Sequence, residues 1–165
     1  MIIEQQKELF KQSLKLLGRA GRETIPGKVI IQTYNPDHYS IICAKEQNYD
    51  TFYKAEIALR KQLKYPPFCD IILIGVSGND EKMVEKVANF FYAKIQKSNI
   101  KRISVYRPVP APINKIKNKY RWRIIIKGKL DNNIIDTINY VTEEFYKKKI
   151  KDVQVIIDTN PNNMM

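Results

Sequence analysis

Two arginines three residues apart, Arg19 and Arg22, each follow a glycine in the stretch LLGRAGR (16–22). A guanidinium pairs bidentately with phosphate oxygens and cannot lose its charge, so two such forks on one side of a turning backbone can clamp a phosphate. The same residues admit a plainer reading, in which Gly18 stops a helix and the arginines merely face its negative end. A second constellation lies in APINKIKNKYRWRIII (111–126), where Lys115, Lys117, Lys119, Arg121 and Arg123 fall on every second position, interleaved with Tyr120 and Trp122. In an extended chain that spacing puts all five cations on one side and Ile116, Tyr120 and Trp122 on the other, with same-side residues about 6.6 Å apart. Such a row can follow a nucleic acid backbone. Five phosphates neutralised on a single strand correspond to a log–log salt slope of about −3.5. Tyr120 and Trp122 can stack on bases or pack against a helix, and the three lysines can instead form a flexible loop that keeps an edge strand from pairing.

The charge balance frames these motifs. The 165-residue chain carries a net charge of +12, and from Lys101 to Leu130 there are ten Lys or Arg residues and no Asp or Glu. Solvated surface normally mixes both signs, so a one-signed block points to an anionic partner: nucleic acid, a membrane surface or an acidic peptide. Cys43 and Cys69 are far apart, with no C-x-x-C motif and only His38 to join them, which supports neither a metal site nor a disulfide framework. Charges at Glu4, Lys7, Glu8 and Lys11 argue against a leader peptide, and no stretch approaches the roughly 20 apolar residues of a membrane span. The expectation is a soluble, intracellular protein of the reducing cytoplasm.

The elements that must position these residues follow from periodicity. Leu9, Phe10, Leu14 and Leu17 predict a helix over 4–17, VIIQ a short buried strand over 28–33 with a turn at Asn35-Pro36, and Phe52, Ile57, Leu59 and Leu63 a helix over 49–63 capped by Asp50. KYPPF (64–68) ends it, because a residue before proline avoids helical dihedrals. Then comes a regular series: strand 69–76, helix 81–97, strand 100–109, strand 120–127, a helix capped by Asp131, and strand 153–157. FFYAKIQKSNIKRISV and EFYKKKIKDVQVII repeat the same plan of an aromatic pair, a lysine-rich helix end and a strand. Two β-α-β units in series predict an α+β, ferredoxin-like split β-α-β sandwich over 69–158, with a four-stranded antiparallel sheet and two helices on one face. The alternative is one continuous α/β sheet that includes the N-terminal strand. One strand and two helices in the first sixty residues cannot bury enough surface to stand alone, so they look like part of something larger.

GRAGR resembles motif six of superfamily 2 helicases. Together with PGKVIIQTYNPDHYSI, YDTFYKAEIALRKQLKYPPF, RPVPAPINKIKNKYRWRIIIK and VIIDTNPNNMM, in that order, the chain is similar to the C-terminal end of the primosomal replication-restart helicases. The resemblance implies that residues 1–64 are the C-terminal remnant of a RecA-like second helicase lobe with its linker, and 65–165 a ferredoxin-like domain that binds DNA and partners. It implies that Arg19 and Arg22 reach the nucleotide's terminal phosphates, one as an arginine finger. The family normally has glutamine where this chain has Lys15. It further implies a parent that unwinds DNA 3′→5′ with ATP and magnesium, carries zinc, and works with single-stranded or forked DNA, single-stranded DNA-binding protein and other primosome proteins. No G-x-x-x-x-G-K-[ST] loop, acidic metal box or cysteine-rich insertion occurs in these residues. This stretch by itself is therefore expected to hold no cofactor and to hydrolyse no ATP. Rival readings are a free-standing RNA-binding module and a module that takes an acidic peptide. The first requires an aromatic K/R-G-F/Y-G/A-F-V-x-F/Y string that neither RISVYRPV nor RWRIIIKG supplies.

Overall fold

The structure is a computed structural model that describes residues 2–18, 28–98 and 100–161. The chain divides into two compact units, Met1–Leu63 and Lys64–Met165.

The described residues of the first unit form three helices: α1 (Ile2–Leu17), α2 (Tyr39–Lys45) and α3 (Tyr49–Gln62). Phe10 of α1 stacks on Phe52 of α3 with ring centroids 3.9 Å apart, and Cys43 and Ala44 of α2 complete the buried cluster. Around it runs a polar network. The Tyr39 hydroxyl lies 2.7 Å from both Glu56 Oε2 and Gln6 Oε1, and Arg60 Nε donates to Glu56 Oε1 at 2.9 Å. His38 caps α2, its Nδ1 accepting the Ser40 N–H. α2 escapes the sequence because seven residues make barely two turns, too few for a periodicity to register.

Two expectations fail here. Residues 28–33 form no strand, and Ile30 is 81% exposed. A strand exists only in a ladder, and the described residues of this unit contain no partner strand. The cap of α3 is Asn48, whose side chain accepts the Thr51 N–H at 3.0 Å, rather than Asp50, which sits within the first turn.

The second unit is α+β, with an antiparallel sheet of five strands: β1 (Asp70–Gly78), β2 (Ile103–Val105), β3 (Val109–Ile116), β4 (Lys119–Gly128) and β5 (Val153–Thr159). β1 sits between β4 and β5, and β2 and β3 both pair with β4. Helix α4 (Glu81–Lys97) joins β1 to β2, and α5 (Asn132–Lys147) joins β4 to β5, so the repeated sequence segments become repeated helix–strand steps. Asp80 and Asp131 cap the two helices, each side chain accepting a backbone N–H of the first turn. Ile72, Ile74 and Val76 of β1 and Ile124 and Ile126 of β4 face Phe91 and Phe145 in one core. At the end of β1 the chain crossing is tight: a Cβ on Gly78 would meet the Asp152 carbonyl at 2.6 Å.

The sheet departs from the expected four strands. The stretch 100–109 is only a three-residue β2, and the chain then re-enters the sheet as β3, an edge strand, where residues that cannot donate to a ladder, Pro110 and Pro112, are tolerated.

A side-chain clamp closes the sheet's other end. Asp70 Oδ2 accepts the Leu130 N–H at 2.9 Å and Oδ1 accepts from Asn160 Nδ2 at 3.0 Å. Asn160 Oδ1 in turn accepts the Ile71 N–H at 2.9 Å. The Leu130 N–H, and after it the Asn160 amide, hold the Asp70 carboxyl below its ordinary range. A depressed carboxyl contributes stability above the unfolded value of about 3.9 and loses it as pH falls through the lower folded value. Asp70→Ala is therefore expected to cost about 1–3 kcal/mol at neutral pH. The gap between urea melts of the two proteins should begin to narrow below the unfolded carboxyl value and close further as pH falls through the lower folded value; a gap that stays constant with pH would show that the charge is irrelevant.

Candidate nucleic-acid interface

Lys117 and Asn118 adopt φ of 49° and 61°, the left-handed pair that a two-residue hairpin turn requires. Ile116 pairs with Lys119 across this turn, and Lys115 with Tyr120. Paired residues share a face of the sheet, so Lys115 stands on the Tyr120 side, its Nζ 4.6 Å from the ring centroid and 3.4 Å from the hydroxyl. The expected straight row of five is thus broken. Lys117 lies in the turn, Lys115 lies across the sheet, and only Lys119, Arg121 and Arg123 alternate along one strand.

On β4 the alternation itself is as the pleat dictates. Tyr120 and Trp122 point toward the helices and pack against the core, and the Trp122 indole nitrogen is buried. Lys119, Arg121 and Arg123 point to the helix-free face. Arg121 pairs with Ser77 and Arg123 with Gly75 on β1, so large cations stand beside residues with little or no side chain. The result is a shallow groove of about 220 Å³, with Gly75 and Ser77 as floor and Arg121, Arg123, Ile156 and Asp158 among its walls. Asp158 is the one carboxylate in that lining.

Two residues farther along the same alternation than Ile125, Lys127 stands on this face too. Its Nζ lies 3.6 Å from the Tyr65 ring centroid and 5.8 Å from that of Tyr106. Burial pushes the Lys127 ammonium and the Arg123 guanidinium below their ordinary values, and the neighbouring Cys69 and Tyr65, respectively, partly offset it. Lys127, Tyr65 and Tyr106 were not singled out by the sequence motifs. The period of two running 119, 121, 123 extends to Lys127, whereas Tyr65, about sixty residues upstream, leaves no local signal.

The remaining site residues can be placed briefly. Arg19 and Arg22, the phosphate-contacting pair expected from the motif, lie outside the described residues. Among the described residues no group of three His, Cys, Asp or Glu side chains could hold a metal ion, and no helix is long and apolar enough to cross a membrane.

Comparison with known families matches residues 61–162 to the model of the primosomal protein N C-terminal domain. That segment covers more than half of the chain. The chain belongs to this family. Its relatives are replication restart proteins PriA. The protein from Bacillus subtilis is 36% identical over 96% of this chain, corresponding to 20% of that relative. The PriA of Synechocystis is 37% identical over 72% of this chain and 14% of its own length, and that of Borreliella burgdorferi 30% identical over 96% and 24%. The chain thus spans about a fifth of the length of the curated PriA proteins it matches. The primosomal family model falls on the sheet unit, which carries the basic face, while the longer PriA alignments take in the helical unit as well.

Proposed function

We propose that this chain is the C-terminal part of a PriA-type replication restart helicase, and that its sheet unit holds single-stranded or forked DNA on the helix-free face. The observation that carries this reading is the alignment of Lys119, Arg121 and Arg123 on one side of β4, beside the small residues Gly75 and Ser77. Three side chains about 6.6 Å apart can track phosphates. The strand order β2-β4-β1-β5, with a helix after β1 and another after β4, supports a ferredoxin-like split β-α-β plan to which β3 is an addition. The helical unit is the end of the second motor lobe, where Arg19 and Arg22 meet nucleotide phosphates once the rest of the parent supplies ATP, magnesium and the zinc-bearing segment. By itself this stretch binds DNA, holds no nucleotide and hydrolyses no ATP. The acidic tail of single-stranded DNA-binding protein and other primosome proteins are further partners, in the cytoplasm, for a chain of net charge +12.

The test is fluorescence anisotropy with single-stranded, forked and duplex DNA and with an acidic peptide, on the wild type and on a Lys119→Ala, Arg121→Ala, Arg123→Ala variant. With three of the five cations of the row on the face, Lys119, Arg121 and Arg123, the single-strand salt slope attributable to those three is about −2. The variant should lose that part of the slope and bind more weakly at low salt. Identical slopes for the two proteins would overturn the assignment, and loss of peptide binding alone would favour the acidic-peptide module.

A further inference from the structure

Tyr106 is an exposed aromatic held by the backbone. It follows β2 directly, and its N–H donates to the Ile125 carbonyl at 2.9 Å, which extends the β2–β4 ladder by one residue. Sharing the position of Ile125, it stands on the helix-free face with Arg123 and Lys127. The residue is 49% exposed, although its main chain is pinned and Lys127 Nζ approaches to 5.8 Å. Tyr65 engages the same ammonium at closer range, 3.6 Å, so one cation lies near both rings. An exposed tyrosine is ordinary on its own. One fixed by a ladder bond, flanked by a cation, at the end of a basic strand on the same face is the combination that single-strand binders use.

We propose that Tyr106 is a stacking platform for an unpaired base of a single-stranded nucleic acid whose phosphates run along Arg123, Arg121 and Lys119. The proposal rests on the DNA-binding reading above and adds the ligand's chemistry to it: unpaired and base-bearing. Tyr106 presents its free surface to the base, Lys127 neutralises the phosphate nearest that nucleotide, and the groove over Gly75 and Ser77 leaves room for the backbone to pass toward Arg121. A duplex, whose bases already stack on one another, gains nothing from the ring.

The test uses the full chain with a twelve-nucleotide oligothymidylate, the same oligomer with abasic linkers, and a duplex of equal length. Tyr106→Leu should weaken oligothymidylate binding about 5- to 100-fold and leave the salt slope unchanged. It should leave duplex and abasic binding as in the wild type. Tyr106→Trp should restore the affinity and quench a 2-aminopurine placed in the oligomer. Equal affinity of Tyr106→Leu and wild type for oligothymidylate, or an equal loss on the abasic oligomer, would overturn the platform while leaving the basic row intact. Salt-insensitive binding that Lys119, Arg121 and Arg123 do not affect would instead overturn the underlying reading, and failure of the wild type to bind any single strand at 50 mM salt would overturn both.

Discussion

Replacing Phe91 with alanine is expected to lower the unfolding free energy of the sheet unit by about 3–5 kcal/mol. Phe91 is fully buried on α4, its ring 5.6 Å from that of Phe145 on α5 and 5.8 Å, edge-on, from that of Phe90. It is the place where the two helices and the sheet meet, so truncation opens a void bounded by three elements. β-Branched side chains dominate the opposing strands: Ile72, Ile74, Val76, Ile124 and Ile126. Being stiff at χ1, they cannot swing in to fill the space, which places the cost at the upper rather than the lower end. Phe91→Leu keeps most of the volume and should cost less than about 1.5 kcal/mol. Urea unfolding read by far-ultraviolet circular dichroism measures both. A loss below 1 kcal/mol for the alanine variant would mean that the site collapses freely and that the core is not packed as described.

Glu56→Ala should be as damaging to the helical unit. Glu56 is 6% and Arg60 9% exposed, and their ion pair spans 2.9 Å on α3. Removing the carboxylate takes from a buried guanidinium a counter-charge 2.9 Å away, a loss of about 3–5 kcal/mol for a buried pair. It also removes the acceptor of the Tyr39 hydroxyl, which has a single proton for two oxygens at 2.7 Å and gives it to the charged one. Because the chain has two units, the readout is local: amide protection in α1, α2 and α3 should collapse while that of β1, β4 and β5 stays. Glu56→Gln, which keeps an acceptor but not the charge, should lie between. The same network has an alkaline limit. Burial first, and then the hydrogen bond to Glu56, raise the Tyr39 phenol far above its ordinary value of 10.0. A raised group contributes stability that is complete below the unfolded value and is lost as pH rises toward the folded one. Protection in the helical unit should therefore fall above about pH 10, and Tyr39→Phe should flatten that decline. Uniform loss across both units in Glu56→Ala would refute the local assignment.

Much of the architecture was legible before any coordinates, and the elements that were share a cause. α1, α4 and α5 announce themselves by apolar residues three and four apart over 16 or 17 positions, and Asp80 and Asp131 stand where a first turn needs an acceptor. β1, β4 and β5 are runs rich in isoleucine and valine between turn residues. Each of these signals is short-range, carried by the repeat of the backbone itself. The same is true of the division of β4 into a cationic side and an aromatic side: the pleat has period two, so Arg121 and Trp122 could not share a face. The failures share a cause as well. KVIIQT at 28–33 has the composition of a strand and no ladder to join. VPAPINKI contains two prolines and nevertheless pairs, because it lies on an edge where their missing donors cost nothing.

By itself, then, the sequence determined the helices α1, α3, α4 and α5, the strands β1, β4 and β5, and which side chains of β4 oppose which. Tertiary structure alone decided that the chain reverses at Lys117 and Asn118, which sends Lys115 to the ring of Tyr120 and shortens the row of cations to three. It also decided that Tyr65 and Tyr106, about forty residues apart, meet at Lys127. The physical reason is that a side chain's direction within one element follows from local dihedrals, whereas the partner it meets across a turn or a sheet depends on pairings between distant segments, and those are chosen by the free energy of the whole assembled core.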